Sequence, residues 1–214
     1  VDLGHRDVAN SLGREIGVDV FTAEYDLLTL LHEAGEASFN DLYFHLEMSG
    51  STIGRKLARL RDKGLIISRL NEADLRRRKF DLSNGVRSIL DTELAFFSSW
   101  EHAGAEPRDK LSNMVANLKQ NLGVEVLGQD YKLIIGCYSQ DGPGASALLD
   151  FADMSQGSFY AKLRQLQENG LVSSVRETED QRKSRIYLAD YVVGAVADAH
   201  SELHKWASKS LPST

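Results

Sequence analysis

Residues 49–82 read SGSTIGRKLARLRDKGLIISRLNEADLRRRKFDL, and the order of elements in this stretch decides the fold. Ser49 stands where a helix N-cap belongs, because its hydroxyl can accept an amide hydrogen that the first turn leaves unpaired. The helix it opens is expected over about 50–63, with Ile53, Leu57 and Leu60 on one i, i+4, i+7 stripe. Gly64 closes it. Leu65–Leu70 is apolar and β-branched enough for a strand, and Lys79–Leu82 reads as its return strand. The polar residues between them, Asn71–Arg78, are expected to form the hairpin loop. The stretch is therefore a helix followed by a small β-hairpin, spanning about 65–82.

Outward from this unit, the sequence supplies further helices. Upstream, Val8, Leu12 and Ile16 lie four apart in a first helix near Asp7–Ile16, which Gly17-Val18-Asp19-Val20 breaks. Thr22 makes a capping start for a second helix with Tyr25, Leu28 and Leu31 on its buried face, and Ala34-Gly35 ends it. Ser38-Phe39-Asn40-Asp41 opens a short third helix carrying Leu42 and Leu46. Downstream, a last helix is expected over Asn84–Trp100, with Ile89, Leu90, Leu94 and Phe97 on one face. Helix, helix, helix, hairpin, helix is the order of a winged helix-turn-helix. The third and fourth helices form the pair, and the hairpin is the wing.

The pattern occurs twice. Placing Tyr25 on Tyr131 superimposes nearly the whole chain on itself without a gap: Gly17-Val18-Asp19-Val20 falls on Gly123-Val124-Glu125-Val126, Met48-Ser49 on Met154-Ser155, and Lys56-Leu57 on Lys162-Leu163. The same register places Gly64-Leu65 on Gly170-Leu171 and Trp100 on Trp206. One register held over so long a span implies two copies of one fold. Two domains are expected, 1–106 and 107–214, with a second recognition helix over about 156–169 and a second wing over about 171–188. Gly104–Pro107 separates them. The fold class is mainly α with small β wings.

Composition is that of a globular protein with real cores. No apolar run approaches the ~20 residues of a membrane span, and no signal-peptide pattern opens the chain. The single cysteine, Cys137, excludes an internal disulfide and suits a reducing cytoplasm, the expected location. Net charge is −6, yet Ser49–Phe80 holds ten Lys or Arg against Asp62, Glu72 and Asp74, a balance of +7. The matching stretch Ser155–Ile186 balances at +2, which leaves −15 for the rest of the chain. A basic face on an acidic body is an electrostatic footprint for a polyanion. The two copies carry it unequally.

A recognition helix enters the major groove by its N-terminal half. With Ile53, Leu57 and Leu60 facing inward, Ser51, Thr52, Arg55 and Arg59 are left outside, beside Lys56. Small hydroxyls permit close approach, and arginine can bond guanine through two donors. In the wing, Arg76, Arg77, Arg78 and Lys79 crowd four cations that repel one another without a polyanion, a set suited to straddling a phosphate backbone or to placing arginine in a narrow minor groove. Asp74 is placed to orient the Arg76 guanidinium. In the second copy the corresponding candidates are Gln156, Ser158, Lys162, Arg182, Lys183 and Arg185. There Phe159 and Tyr160 replace Ile53 and Gly54, and Gln165 and Gln167 replace Arg59 and Arg61.

The run STIGRKLARLRDKGLI, then Asp74 and RRRK, then LSNG, resembles the core of the MarR family of multiple antibiotic resistance regulators. GSFYAKLRQLQENGLV followed by DQRKSRIYL resembles the same pattern in degraded form. Together they cover about half the chain. The resemblance implies a sequence-specific transcription regulator that binds double-stranded DNA, usually as a dimer with interlocked terminal helices. This chain departs from it in being a tandem fusion of short copies with a weak second reading head.

Other features carry less chemistry. Cys137 matches Leu31 and is expected to be a small core residue, with a thiol sensor as the alternative. His200 and His204 lie four apart without a third ligand of suitable spacing, so neither a metal site nor a cofactor is expected. Phe96, Phe97, Trp100 and Trp206 are expected to pack against the first helices. The resemblance also implies an apolar effector, which such aromatic walls could receive. Phosphate loops and nucleophile motifs are missing, so an enzyme is not expected. The first helices of the copies, with Val8/Leu12/Ile16 and Met114/Leu118/Leu122, are expected to pack as an intrachain pseudo-dimer, placing both recognition helices on one side. Should the short Gly104–Pro107 break hold the copies apart, those stripes would pair with another chain as a homodimer. The alternative function is a tandem winged-helix scaffold of chromosome-partition or replication type, binding protein more than DNA.

Overall fold

The computed structural model describes residues 5–46, 48–71, 74–98, 107–176 and 184–210. In chain order its elements begin with α1 (His5–Ile16), α2 (Ala23–Ala34), β1 (Glu36–Ser38), α3 (Phe39–His45) and α4 (Gly50–Asp62). They continue with β2 (Ile66–Asn71), β3 (Asp74–Leu82), α5 (Asn84–Ser98), α6 (Pro107–Leu122) and α7 (Gln129–Gln140). The last are α8 (Ala145–Ala152), α9 (Gln156–Glu168), β4 (Val172–Arg176), β5 (Ser184–Leu188) and α10 (Asp190–Ser210). The fold is mainly helical, with small antiparallel wings.

These elements group into two compact units that are not contiguous in sequence. One comprises Val1–Phe21 with Leu127–Trp206, the other Thr22–Val126 with Ala207–Thr214. We call the second the N-wing unit and the first the C-wing unit. α6 thus sits in the unit of the first wing, and α1 in the unit of the second. The sequence division at 106/107 leaves each of these helices with the copy it precedes; the packing groups each with the other. Two backbone hydrogen bonds of the same kind accompany this arrangement. In the N-wing unit the Thr22 amide donates to the Val126 carbonyl at 2.9 Å, and in the C-wing unit Gly128 donates to Val20 at 2.9 Å.

In the N-wing unit the expected α4 stripe is the core contact: Ile53, Leu57 and Leu60 are buried together with Leu28 and Leu31 of α2 and Leu42 of α3. Full burial of one such side chain contributes about 1.5–3 kcal/mol, so this cluster fixes where α4 stands. Ser49 caps α4, with the Thr52 amide donating to its Oγ at 3.3 Å, and Gly64 follows at φ 70°, a conformation that disfavours any side chain. Ser38 and Asp41 form a reciprocal capping box on α3. On α5, Val86 and Leu90 are buried, while the expected Ile89 is only half-buried. Trp100 and the side chains of Leu94, Phe96, Phe97, Met114 and Trp206 lie outside the described residues.

Two expectations for the wing are corrected. The sheet has three strands, in order β1-β3-β2, because Glu36–Ser38 pairs antiparallel with Lys79–Asp81 on the far edge of β3. The return strand is also longer than Lys79–Leu82 and reaches back to Asp74. The register shifts between Leu70, opposite Arg78, and Asn71, opposite Asp74, so Leu75, Arg76 and Arg77 form a bulge. The arginines belong to a bulged strand and not to an open loop over Asn71–Arg78.

The C-wing unit has a similar order of elements with less sheet. α9 buries Phe159, Leu163 and Leu166, Ser155 caps it, and Gly170 follows at φ 71°. β4 and β5 pair antiparallel with Val172 opposite Leu188. In place of a third strand there is a single bridge between Gly144 and Arg185. α7 packs closely on α8: a Cβ on Gly136 would come within 2.6 Å of Leu148 Cδ1 and 2.8 Å of Phe151 Cδ1. Cys137 is buried on α7, and desolvation pushes its thiol up to about 12. That environment suits a core residue and disfavours the thiolate a sensor needs.

Candidate nucleic-acid interface

The N-terminus of α4 is a compact hydroxyl group. Ser49 Oγ lies 3.1 Å from Ser51 Oγ and 2.9 Å from Thr52 Oγ1 while it caps the helix. Ser51 and Arg55 are exposed beside it, and Thr52 and Gly54 are half-buried. A side chain at Gly54 would meet no heavy atom within 4 Å, so internal packing does not demand glycine there. Its absence of a side chain leaves bare helix on the outer face.

The remaining cations of α4 are held. Glu24, on the first turn of α2 and only 12% exposed, takes Lys56 Nζ at 2.8 Å and Arg59 Nη1 at 3.3 Å on the same Oε1 oxygen. Arg61 lies 3.6 Å from Asp62, and Lys63 donates to the Gly123 carbonyl at 2.6 Å. Arg55 thus differs from its neighbours: among the described residues it has no partner.

The wing cations are also distinguished one from another. Asp74 accepts from the Arg76 backbone amide at 3.0 Å, and its other oxygen lies 3.2 Å from Arg77 Nε. The expected pair with the Arg76 guanidinium is therefore replaced by one with Arg77, since the bulge turns the Arg76 amide toward the carboxylate. Arg78 donates to Ser68 Oγ at 3.2 Å, and Lys79 pairs with Glu36. The Arg76 side chain has no partner among the described residues. Arg69, exposed on β2 opposite Lys79, adds a cation that was not among the candidate residues.

In the C-wing unit the candidates disperse. Gln156 is exposed and Ser158 donates its amide to Ser155 Oγ at 3.3 Å. Lys162 Nζ lies 3.0 Å from Asp130, and Arg185 donates to the Gly142 carbonyl at 3.2 Å. Arg182 and Lys183 lie outside the described residues. Tyr160, where the first copy has Gly54, stands 48% exposed with its ring 5.1 Å from that of Phe159. Arg164 is an exposed cation that the comparison with the first copy did not single out.

A capped helix with bare, hydroxyl-rich and cationic outer positions, followed by a basic wing, is the arrangement for reading duplex DNA. Residues 22–77 match the MarR family model. The matched segment runs from the cap of α2 through α4 into the bulge of β3, so this part is similar to the winged helix-turn-helix of the MarR family. The family is not enzymatic. No curated protein matches the chain. Among solved structures, it is similar to the crystal structure of MarR at 15% identity, over 45% of this chain and 71% of that one, with a TM-score of 0.32. It is also similar to the S. aureus MepR–DNA complex at 16% identity, over 56% and 76%, TM-score 0.32. A variant of Lactococcus lactis ZitR matches at 22% identity, over 45% and 72%, TM-score 0.31. Among the described residues, no helix is long and apolar enough to cross a membrane.

Proposed function

We propose that this MarR-like chain is a sequence-specific transcription regulator that carries two winged helices by tandem duplication, with the N-wing unit as the main reader. The observation that carries this reading is the outer face of α4 and β3: Arg55 and Arg76 have no partner among the described residues, beside the Ser49–Ser51–Thr52 hydroxyls. Ser51, Thr52 and Arg55 read base edges. Arg76, Arg77 and Arg78 contact the phosphate backbone, while Lys56, Arg59 and Lys79 flank the site with their charge shared by Glu24 and Glu36. The C-wing unit adds Gln156, Ser158 and Arg185, with Lys162 largely committed to Asp130 and Arg182 and Lys183 as its wing cations.

The duplication is supported by matching element starts: α2 and α7 at Ala23 and Gln129, α4 and α9 at Gly50 and Gln156, β2 and β4 at Ile66 and Val172. The grouping of α1 with the second wing and of α6 with the first supports a dimer-like reader made from one chain. A small apolar effector is its regulatory ligand, as the resemblance implies. A scaffold reading draws on the exposed Tyr160 and the neutral glutamines of α9. The two part on salt. The full chain is titrated with random and with selected duplexes at several salt concentrations. A regulator shows a steep negative slope and a preference for the selected sequence; a flat slope with no preference would leave the scaffold.

A further inference from the structure

Each unit carries an ion pair between matching helices. In the N-wing unit Glu24 reaches from α2 to Lys56 and Arg59 of α4; in the C-wing unit Asp130, at the matching place on α7, reaches to Lys162 of α9. Both carboxylates are mostly buried, at 12% and 23% exposure, and both lysines are 30% exposed. The difference lies in the second cation. Where the first copy has Arg59, the second has Gln165, and among the described residues Asp130 Oδ1 is buried without a hydrogen-bond partner. The carboxylate persists although one of its two cations does not.

We propose that Glu24 is a positioning residue that withholds Lys56 and Arg59 from indiscriminate phosphate contact, so that α4 discriminates by Arg55 and its hydroxyls instead of by bulk charge. This rests on the DNA-binding reading above. Arg59, 64% exposed, has the reach to leave the helix flank, yet its guanidinium lies back on a carboxylate that is anchored in the first turn of α2. A negative side chain is favoured at that helix end. Asp130 does the same for one lysine only. The pair therefore sets how many cations each reading head offers to random DNA, and it does so from outside the DNA-facing surface.

The test uses the full chain and a random-sequence duplex. Each cation released to a phosphate steepens the slope of log K against log salt by about 0.9. Between about 50 and 200 mM salt, Glu24→Gln should therefore raise the ratio of low-salt to high-salt affinity about 12-fold over wild type by freeing two cations. Asp130→Asn, freeing one, should raise it about 3.5-fold, and Glu24→Asp should leave it unchanged. Arg59→Gln, at an exposed side chain, should change the slope little alone and remove half the gain in the Glu24→Gln background. A melting curve checks that each variant is folded. An unaltered slope in folded Glu24→Gln, or a full cation's loss in Arg59→Gln alone, overturns the proposal. A flat wild-type slope overturns the DNA-binding reading and this proposal with it, whereas a steep wild-type slope with an unmoved Glu24→Gln overturns this proposal alone.

Discussion

Replacing Arg55 by alanine isolates base reading from bulk charge. The side chain is exposed and has no partner among the described residues, so its removal leaves no buried charge behind. Alanine is also the better helix former, and stability should stay within about 0.5 kcal/mol of wild type. If the guanidinium bonds a base edge through two donors, the selected duplex should lose about 1–3 kcal/mol, which is roughly 5- to 150-fold in affinity. Random duplex should lose only the contribution of one cation, a slope change of about 0.9. Arg76→Ala is the control, since a phosphate contact from the bulge weakens both duplexes alike. Fluorescence anisotropy on the two duplexes at matched salt measures all four affinities. Wild-type binding of Arg55→Ala to the selected duplex would refute the assignment. An equal loss on both duplexes would reduce Arg55 to a phosphate contact and refute base reading by α4 at this position.

Three further outcomes are expected. Neutralising Lys162, Arg182 and Lys183 together should flatten the salt slope less than neutralising Arg55, Arg76 and Arg77, because Lys162 already shares its charge with Asp130; equal losses would show that the copies bind alike. Gly136→Ala should destabilise the C-wing unit by about 1–3 kcal/mol, since the new methyl would press on Leu148 and Phe151, and a melting temperature at or above wild type would contradict that packing. Cys137 should resist thiol reagents at pH 8 until the chain unfolds. Its folded value of about 12 exceeds the ordinary 9, so the stability it contributes is complete below pH 9 and lost as pH rises toward 12; rapid labelling of the native protein would show that the thiol is accessible.

The parts of this fold that the sequence made legible are those decided within a few residues. Ser49, the Ile53–Leu57–Leu60 stripe and Gly64 act through one helix turn, and they mark α4 to within a residue. The repeat extended the same reading to Ser155, Phe159–Leu163–Leu166 and Gly170. What escaped was set by distant partners. Glu36–Ser38 is too short to show alternation, and it becomes a strand because β3 offers it an edge. Asp74–Arg78 reads as a loop because consecutive cations have no strand-like alternation, yet pairing with β2 extends it and the bulge absorbs the misfit. The regrouping of α1 and α6 is invisible to any local pattern, since both helices look alike in sequence and only packing decides their unit.

Charge shows the same division between local and distant causes, and it alters the electrostatic reading. The +7 of Ser49–Phe80 counts formal charges, whereas Lys56, Arg59, Arg61, Arg77 and Lys79 each face an acid. Two of those acids, Glu24 and Glu36, lie outside the counted stretch and so vanish from a local sum. One signal for Glu24 was present in the repeat: the second copy keeps an acid at Asp130 while the residues around its recognition helix lose their cations. An acid retained opposite a diminished basic face points to a role within the unit. On the N-wing candidate face Arg55, Arg69 and Arg76 are the cations whose side chains have no partner among the described residues. In the proposed reading, discrimination between sequences draws on the hydroxyls and the bare helix beside Gly54, at the position where the C-wing unit presents Tyr160.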